Sequence, residues 1–401
     1  MRWIISIGIL LGIEIYALQA FRRLFPKLKV TIIYIVLSLL VYGLMIGGFY
    51  MEVQGGTFGQ PRGLFIGLFL SMMALKIGLL IFMFAEDITR ILRYVFRLIF
   101  PSSKKSFPSR RKFVSQLALG ISAIPFLSLL YGMYQGKYNY KVLKYKLEFE
   151  DLPQAFKGLK VLQISDIHSG SLDNKDKVQY GIDLINAQNA DIICFTGDLV
   201  NNLADEMNNW FEVFNQLKAK IGIYSVLGNH DYGDYHDWET EADKTKNFNQ
   251  LLSIHKKMGW KMLRNENVSI EKSGEKLHLV GVENWGKGGF VKHGDIDKAS
   301  EHLKPQDFKI LLSHDPSYWD ENLKHHPKNF QLTLSGHTHG MQFGIEIPGW
   351  FKWSPVQYRY KQWAGIYKHQ KRFINVNRGF GYLAYPGRVG IWPEVTVMEL
   401  G

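Results

Sequence analysis

Five short motifs in this chain combine residue types that bind divalent cations. They are Asp166-Ile-His168, Gly197-Asp198, Gly228-Asn-His-Asp231, Ser313-His314 and Gly336-His-Thr-His339. Carboxylates, imidazoles and an amide oxygen, with no thiolate among them, suit ions such as Mn²⁺, Fe or Zn²⁺. A set of this size can hold two cations with Asp198 between them, an arrangement that is suited to hydrolysing phosphate esters.

Each motif lies directly after an apolar run that is typical of a β-strand. The runs are Val161–Ile164, Ile192–Phe195, Ile223–Leu227, Ile310–Leu312 and Leu332–Leu334. Helical patterns follow at Lys175–Asn189, Ala204–Lys218 and Thr240–Met258. Strands that alternate with helices predict an α/β fold, and open α/β sheets present their sites at the carboxyl ends of strands. Taken singly, each motif is more typical of a turn, but five in order at strand ends predict a site.

The order of the motifs resembles that of the calcineurin-like metallophosphoesterases over residues 150–401. The closing segment, residues 375–394, is similar to a narrower bacterial branch that is membrane-associated or exported. Relatives of that branch include the lipid A-pathway sugar-nucleotide pyrophosphatases. The resemblance implies a four-layer α/β/β/α sandwich with its site at the strand ends.

The resemblance also implies a role for each motif residue. One cation would be held by Asp166, His168, Asp198 and His339, and a second by Asp198, Asn229, His314 and His337. His230 would stay off both metals and stabilise the transition state or protonate the leaving oxygen. Asp231 would orient the imidazole of His230. The sequence does not choose between Mn²⁺, Fe and Zn²⁺.

Two arginines near the end of the chain are candidate substrate ligands. Arg378 and Arg388 follow the last predicted motifs, and a guanidinium can hold a phosphate group through two parallel hydrogen bonds. A structural salt bridge explains each arginine equally well. The sequence leaves both interpretations open.

The basic excess of the chain belongs to its first third. The chain has 48 Lys+Arg and 36 Asp+Glu, a net charge of +12. Residues 1–134 hold 15 and 4 of these, a net of +11, so residues 135–401 hold 33 and 32, a net of +1. A nearly neutral second part does not favour binding to nucleic acid. The single cysteine, Cys194, lies within an apolar strand and is expected in the core.

The first third of the sequence is also predicted to be a membrane domain. Four stretches are long and apolar enough to cross a bilayer: Trp3–Ala20, Val30–Met51, Gly63–Ala85 and Phe113–Tyr134. The pattern of Glu86–Phe100 suits an interfacial helix, and an extension of the third span explains it as well. We therefore predict a multi-pass transmembrane domain at 1–134, a linker or strand at 135–149 and a phosphoesterase domain at 150–401.

Loop charges predict the orientation of these spans. Phe21–Lys29 holds four basic residues and Glu86–Lys112 holds eight, whereas Tyr50–Arg62 between them holds one. Because basic loops remain in the cytoplasm, both termini and the phosphoesterase domain are expected outside the inner membrane. Residues 109–114 also resemble a twin-arginine export signal, although the same basic bias accounts for the paired arginines.

Two ionisable residues, Glu14 and Lys76, fall within predicted spans. If the first and third spans run in parallel, these two residues lie at a similar depth. A charge inside a membrane is costly unless it is paired. We therefore predict a contact between Glu14 and Lys76.

An aromatic and basic stretch, residues 348–363, follows the last metal motif. It could form a lid at the membrane interface that receives a lipid-linked phosphate, or it could pack in the core. The leading hypothesis is an extracytoplasmic, membrane-anchored phosphoesterase acting on an envelope or lipid-linked phosphomonoester, phosphodiester or pyrophosphate. The alternatives are a cytoplasm-facing pyrophosphatase of UDP-sugar lipid precursors and a catalytically silent membrane sensor.

Overall fold

The computed structural model describes residues 2–53, 62–99 and 108–401. The chain divides into a helical unit that runs to Tyr134 and an α/β unit that begins at Gln135. Each unit has its own apolar core.

Among its described residues, the helical unit contains four helices. They are α1 (Arg2–Leu24), α2 (Leu28–Val53), α3 (Arg62–Ile99) and α4 (Pro108–Tyr134). Among the described residues, three segments are long and apolar enough to cross a membrane: Leu28–Gly48, Arg62–Phe96 and Lys112–Tyr134. Helix α1 covers the first predicted span, whose first side chains lie outside the described part. The chain therefore has a membrane domain, and four remains the predicted number of spans.

Helix α3 settles one of the open alternatives. It continues without interruption for 38 residues to Ile99. Residues 86–99 therefore extend the third helix, and the prediction of a separate interfacial helix is wrong for this stretch. The twin-arginine-like residues 109–114 begin α4, but the side chains of 109–111 are not among those described.

The predicted contact between Glu14 and Lys76 is confirmed. The two side chains form an ion pair, and Lys76 is 1% exposed. Lys76 Nζ also donates to Ser38 Oγ at 2.9 Å, while the hydroxyls of Tyr34 and Tyr42 donate to Glu14 at 2.9 and 2.7 Å. These polar partners compensate for the cost of removing both charges from water.

The α/β unit is built on two six-stranded sheets. The first sheet has the order β1 (Lys141–Leu147), β14 (Glu394–Leu400), β2 (Lys160–Ile164), β3 (Ile192–Phe195), β4 (Gly222–Ser225), β5 (Lys261–Met262). The second has the order β12 (Gly365–His369), β13 (Arg372–Val376), β9 (Leu332–Ser335), β8 (Lys309–Leu312), β7 (Glu275–Gly281), β6 (Glu266–Lys272). A separate hairpin pairs β10 (Ile345–Ile347) with β11 (Phe351–Trp353). Strands β2, β3 and β4 are parallel to one another, as are β7, β8, β9 and β13.

The side chains of alternate strand residues divide the unit into layers. Val161 and Ile192 face the second sheet and pack with Ile310 and Leu332 in a core between the sheets. Their neighbours in the first sheet pack against helices α5 (Lys175–Asn186), α6 (Phe211–Phe214) and α7 (Glu241–Lys257). The outer face of the second sheet packs with α8 (Ile296–Ala299) and residues 318–323. This confirms the four-layer α/β/β/α sandwich, because strands with two buried faces need cover on both sides.

The stretch predicted as a linker or a strand belongs to the sandwich. Residues 141–147 form β1, which pairs in parallel with β14 at the edge of the first sheet. The α/β unit therefore begins at Gln135, and the boundary predicted at residue 150 is too late. The alternation of exposed and half-buried residues along β1 is typical of an edge strand with one face in contact with the protein.

Candidate metal centre

All five motifs lie at one edge of the sandwich, directly after β2, β3, β4, β8 and β9. Five of their residues have a left-handed backbone, with φ between 47° and 69°: Asp166, His168, Asp198, His337 and His339. Residues other than glycine rarely adopt this conformation, and where they do it is often at a functional site. The sharp turns direct these side chains inward above the strand ends.

The first cluster of donor atoms consists of Asp166, His168 and His339, all buried. His168 Nε2 lies 3.0 Å from His339 Nε2, and His339 Nε2 lies 3.2 Å from Asp166 Oδ1. Nitrogen and oxygen lone pairs that converge at these distances repel one another unless a proton or a cation lies between them. The cluster therefore fits a bound cation.

The second cluster consists of Asp198, Asn229, His314 and His337. His314 Nε2 lies 3.1 Å from Asp198 Oδ2 and 3.2 Å from Asn229 Oδ1. Asn229 Oδ1 in turn lies 2.8 Å from His337 Nδ1. The structure thus brings together every residue that the sequence predicted for the second cation.

Asp198 connects the two clusters. The same carboxylate oxygen, Oδ2, lies 3.1 Å from His314 Nε2 and 3.6 Å from His168 Nε2. The other oxygen, Oδ1, accepts the backbone N–H of His230 at 2.9 Å, which fixes the orientation of the carboxylate. One carboxylate oxygen between two sets of imidazoles is the geometry expected of a bridging ligand.

Outer hydrogen bonds orient the ligand rings. His168 Nδ1 pairs with Asn201 Oδ1 at 3.1 Å, and His314 Nδ1 pairs with the Thr196 carbonyl oxygen at 2.7 Å. Because an amide or carbonyl oxygen can only accept, each Nδ1 carries a proton, which leaves Nε2 as the nitrogen directed at the cluster. Asn229 is oriented likewise, since its Nδ2 donates to the Tyr235 hydroxyl at 3.0 Å.

The remaining nitrogen of His337 has two partners that the sequence analysis missed. Its Nε2 lies 2.8 Å from the Tyr360 hydroxyl and 3.4 Å from Asp315 Oδ2. Asp315 directly follows His314, so its position next to a motif was a usable signal. Tyr360 lies 21 positions after His339, and nothing in the local pattern connected the two.

Two motif glycines are required by space. A Cβ atom at Gly336 would lie 2.3 Å from Asp166 Oδ2 and 1.9 Å from Ser165 Oγ. A Cβ atom at Gly228 would lie 2.2 Å from Asp198 Oδ1. Any side chain at either position would displace a candidate ligand.

His230 borders the first cluster without belonging to it. Its ring centroid lies 4.9 Å from that of His168, and the side chain is half-buried. His230 Nδ1 donates to the carbonyl oxygen of Asn201 at 2.7 Å, which leaves Nε2 as the nitrogen able to meet a substrate.

Asp231 does not have its predicted role. Its carboxylate accepts backbone N–H groups from Gly228, Asp198 and Leu199 at 2.8–2.9 Å. The prediction that it orients the imidazole of His230 is wrong, because the Asn201 carbonyl does so. Asp231 instead ties the turn after β4 to the turn after β3. Burial and the charge of Asp198 raise the pKa of Asp231 to about 7.

Burial and the clustered charges together shift the pKa values of the ligands in different directions. Burial alone would lower the pKa of His314, but the carboxylates of Asp198 and Asp166 outweigh it and raise that pKa to about 10. Burial lowers the pKa of His168 and of His337. Burial would raise the pKa of Asp198, but His314 and its neighbours hold it well below its usual range. The carboxylate of Asp198 is therefore negatively charged, and it stabilises the protonated form of His314.

Neither predicted substrate arginine is free to clamp a phosphate. Arg378 forms ion pairs with Glu394 and Glu346, and its side chain is 4% exposed. Arg388 is fully buried and donates to the carbonyl oxygen of Gly381 at 2.9 Å through Nε. The interpretation of these arginines as phosphate ligands is wrong for both, because their guanidinium groups bind carboxylates or carbonyl oxygens of the protein itself.

The fold and these distances define two adjacent candidate metal-binding clusters on an α/β/β/α sandwich. Residues 159–341 match the family model described as calcineurin-like phosphoesterase. Residues 1–137 match a second one, described as probable calcineurin-like phosphoesterase, transmembrane domain. The chain belongs to the calcineurin-like phosphoesterases, a family of metal-dependent phosphoester hydrolases, as its motifs predicted.

Several proteins are similar in sequence to this chain. An uncharacterized metallophosphoesterase of Helicobacter pylori (strain ATCC 700392 / 26695) is 30% identical over 302 residues, 73% of this chain and 72% of that protein. One from Aquifex aeolicus is 30% identical over 280 residues, 69% of this chain and 98% of that protein. A "transmembrane protein with metallophosphoesterase domain" from Danio rerio is 29% identical over 294 residues. That match includes 71% of this chain and 62% of the zebrafish protein, so the chain spans less than two thirds of that relative's length.

Proposed function

We propose that this chain is a membrane-anchored phosphoesterase that uses two divalent cations to hydrolyse a phosphomonoester, phosphodiester or pyrophosphate. The observation that carries the proposal is the position of Asp198 Oδ2, within 3.1 Å of His314 Nε2 and 3.6 Å of His168 Nε2. A carboxylate oxygen that lies between two donor clusters is in the position expected of a ligand shared by two cations.

The donor set fits two cations of the same class. Asp166, His168 and His339 would hold one together with Asp198. Asn229, His314 and His337 would hold the other, again with Asp198. Nitrogen and oxygen donors suit Mn²⁺, Fe or Zn²⁺. When bound, two such cations polarise the phosphoryl oxygens and lower the pKa of a water molecule, which supplies the nucleophile.

The protein itself supplies orientation and a proton donor. The Asn201 carbonyl holds the proton on His230 Nδ1, so Nε2 can carry a second proton to the leaving oxygen or donate to a phosphoryl oxygen. Asp231 contributes by holding the turns that carry Asp198 and His230 in register. Asn201 and Thr196 keep the lone pairs of two ligand rings directed at the cations.

The distribution of basic residues between the loops supports an extracytoplasmic site. Three described helices are long enough to cross a bilayer, and the basic residues concentrate in the segments on either side of Tyr50–Arg62. We infer that the α/β unit faces outward and acts on an envelope or lipid-linked phosphate. A reporter that is active only in the cytoplasm, fused after Gly401, tests this. Its activity would refute the orientation and favour a cytoplasm-facing pyrophosphatase.

The hydrolytic activity is tested with the full chain purified in detergent and two soluble substrates, p-nitrophenyl phosphate and bis-p-nitrophenyl phosphate. Chelation should abolish turnover, and Mn²⁺ or Zn²⁺ should restore it. Asp198→Asn should remove bound metal, whereas His230→Gln should keep it and lower turnover by about 10²–10⁴-fold. His302→Gln is the matched control, because that side chain is 88% exposed.

The contrary outcomes are distinct. A metal-loaded protein that hydrolyses neither ester would favour the silent-sensor alternative. Loss of metal from His230→Gln would show that this residue is a ligand and that its assignment as proton donor is wrong. Metal content is measured by inductively coupled plasma mass spectrometry on each variant.

A further inference from the structure

The β10–β11 hairpin exposes large apolar side chains. It pairs only with itself, outside both six-stranded sheets. The exposed residues of the hairpin and of the turn after it are defined as the hairpin patch: Ile345 (55% exposed), Ile347 (44%), Trp350 (81%), Phe351 (48%) and Tyr358 (80%). A two-stranded ribbon is marginally stable by itself, so a tip of this composition calls for a partner.

The rest of the same segment is well packed. Tyr360, Trp363 and Ala364 form a buried cluster with Ile391. Within the aromatic stretch, Tyr360 and Trp363 therefore pack in a core, whereas Trp350, Phe351 and Tyr358 are exposed. A segment that buries some aromatic residues and exposes others is amphipathic.

Charge near the patch is positive. Between Met341 and Trp363 the only acidic residue is Glu346, and it is paired with Arg378. Arg359 and Lys361 in the same segment are exposed.

A cavity of about 490 Å³ lies between the hairpin and strand β1. Lys141 and Lys144, both exposed, line it on the β1 side. Glu346, Glu394 and Arg378 also line it, and the arginine is paired with both carboxylates. Apolar aromatic residues beside lysine and arginine match the headgroup layer of an anionic membrane.

The hairpin is fixed to the metal centre, and strand β1, which lies across the cavity from it, follows α4 after a short segment. Ser354 Oγ donates to the Gly340 carbonyl at 2.8 Å, and the Tyr360 hydroxyl pairs with the ligand His337 at 2.8 Å. Only six residues, 135–140, separate α4 from β1. A tether of that length reaches roughly 25 Å at most when fully extended.

We propose that the hairpin patch lies in the lipid headgroup interface, and that its partner is an anionic bilayer surface. Trp350 and Phe351 would enter the interface, and Arg359 and Lys361 would contact lipid phosphates. This inference goes beyond the hydrolytic function and does not depend on which ester is cleaved. Its consequence is that the metal centre opens beside the headgroup layer.

A fluorescent label at the hairpin tip tests the proposal. The full-length variant Trp350→Cys, labelled with the environment-sensitive dye NBD, is placed in phosphatidylcholine nanodiscs with and without phosphatidylglycerol. The native Cys194 is buried and serves as the unlabelled background in the parent chain. Ile221→Cys is the matched control, because Ile221 is 42% exposed and precedes β4, at the sheet edge opposite the metal centre.

The proposal expects a blue-shifted emission at position 350 that lipids with a spin label near the headgroup quench, more strongly with phosphatidylglycerol. Position 221 should show neither effect. Equal quenching at both positions, or none at 350, would overturn it. A blue shift at 350 that grows with protein concentration and resists lipid quenching would also overturn it and point to a second copy of the chain. Hydrolysis of soluble p-nitrophenyl esters by the same labelled protein reports separately on the proposed function.

Discussion

Substitution of Asn201 by alanine should weaken cation binding at one of the two sites and leave the other unchanged. Asn201 is 1% exposed and contacts the centre in two ways. Its side-chain oxygen pairs with His168 Nδ1 at 3.1 Å, whereas its backbone carbonyl accepts from His230 Nδ1 at 2.7 Å. Asn201→Ala removes the first contact and keeps the second. We therefore expect weaker cation binding at the cluster of His168, with His230 still in position.

The magnitude follows from the buried hydrogen bond. Loss of the partner leaves the Nδ1–H of His168 unsatisfied in the interior, at a cost of about 1–3 kcal/mol. Removal of an outer hydrogen bond from a metal-binding histidine typically weakens metal affinity or activity by about 10–100-fold. At about 1.4 kcal/mol for each tenfold change, that range equals about 1.4–2.8 kcal/mol, in agreement with the first value.

Calorimetric titration of the metal-stripped full chain with Mn²⁺ or Zn²⁺ measures both sites. The expected result for Asn201→Ala is one site weakened by about 10–100-fold and a second with unchanged affinity. Asn201→Asp retains an oxygen acceptor next to His168 and serves as the control. Unchanged affinity at both sites, or an equal loss at both, would refute the reasoning that Asn201 acts through His168.

Three further predictions concern other parts of the molecule. Gly336→Ala forces a methyl group against Asp166 Oδ2, and we expect a loss of about 1–3 kcal/mol in chemical unfolding together with loss of a cation. The raised pKa of His314, about 10, predicts that metal binding at pH 8 releases a proton, which calorimetry in two buffers of different ionisation enthalpy detects. Its contribution to the stability of the metal-stripped protein should be present below pH 6.5 and lost as the pH rises through about 10. Glu14→Gln leaves Lys76 unpaired and should cost about 3–5 kcal/mol in thermal unfolding in detergent, whereas Glu14→Gln with Lys76→Met should recover most of that stability.

The sequence was most informative where local pattern and chemistry coincide. Strand β3, Ile192–Phe195, has the predicted bounds, because a strand buried on both faces is a continuous apolar run between polar residues. Parallel strand ends meet at one edge, so the motifs were expected to lie together, and the resemblance to the calcineurin-like metallophosphoesterases implied their assignment to two clusters. The Glu14–Lys76 pair was predictable from depth alone, because a charge in a membrane needs a partner.

Other features depend on geometry that sequence spacing does not contain. Asp231 lies next to His230 in the chain, yet its carboxylate points to the backbone amides of Asp198 and Leu199. Adjacent residues in a tight turn direct their side chains apart, so the role that the resemblance implied for Asp231 is not the one that its side chain has. Arg378 illustrates the same limit, because its partner Glu346 lies 32 positions away on the hairpin. Tertiary packing also decides which aromatic residues of 348–363 are buried and which are exposed.

The charges of the centre explain why one histidine differs from the others. Asp166 and Asp198 are buried and anionic, and the energy of that arrangement falls whenever a positive charge lies between them. In the protein alone, a proton on His314 supplies it, and the pKa of this residue rises, whereas burial keeps His168 and His337 neutral. Binding of a cation at the second cluster therefore requires His314 to lose a proton. Binding at the first cluster does not require this of His168, because that imidazole is already neutral. Cation affinity at the second cluster should accordingly increase more steeply with pH than affinity at the first, which ties the onset of hydrolysis to the filling of the second site.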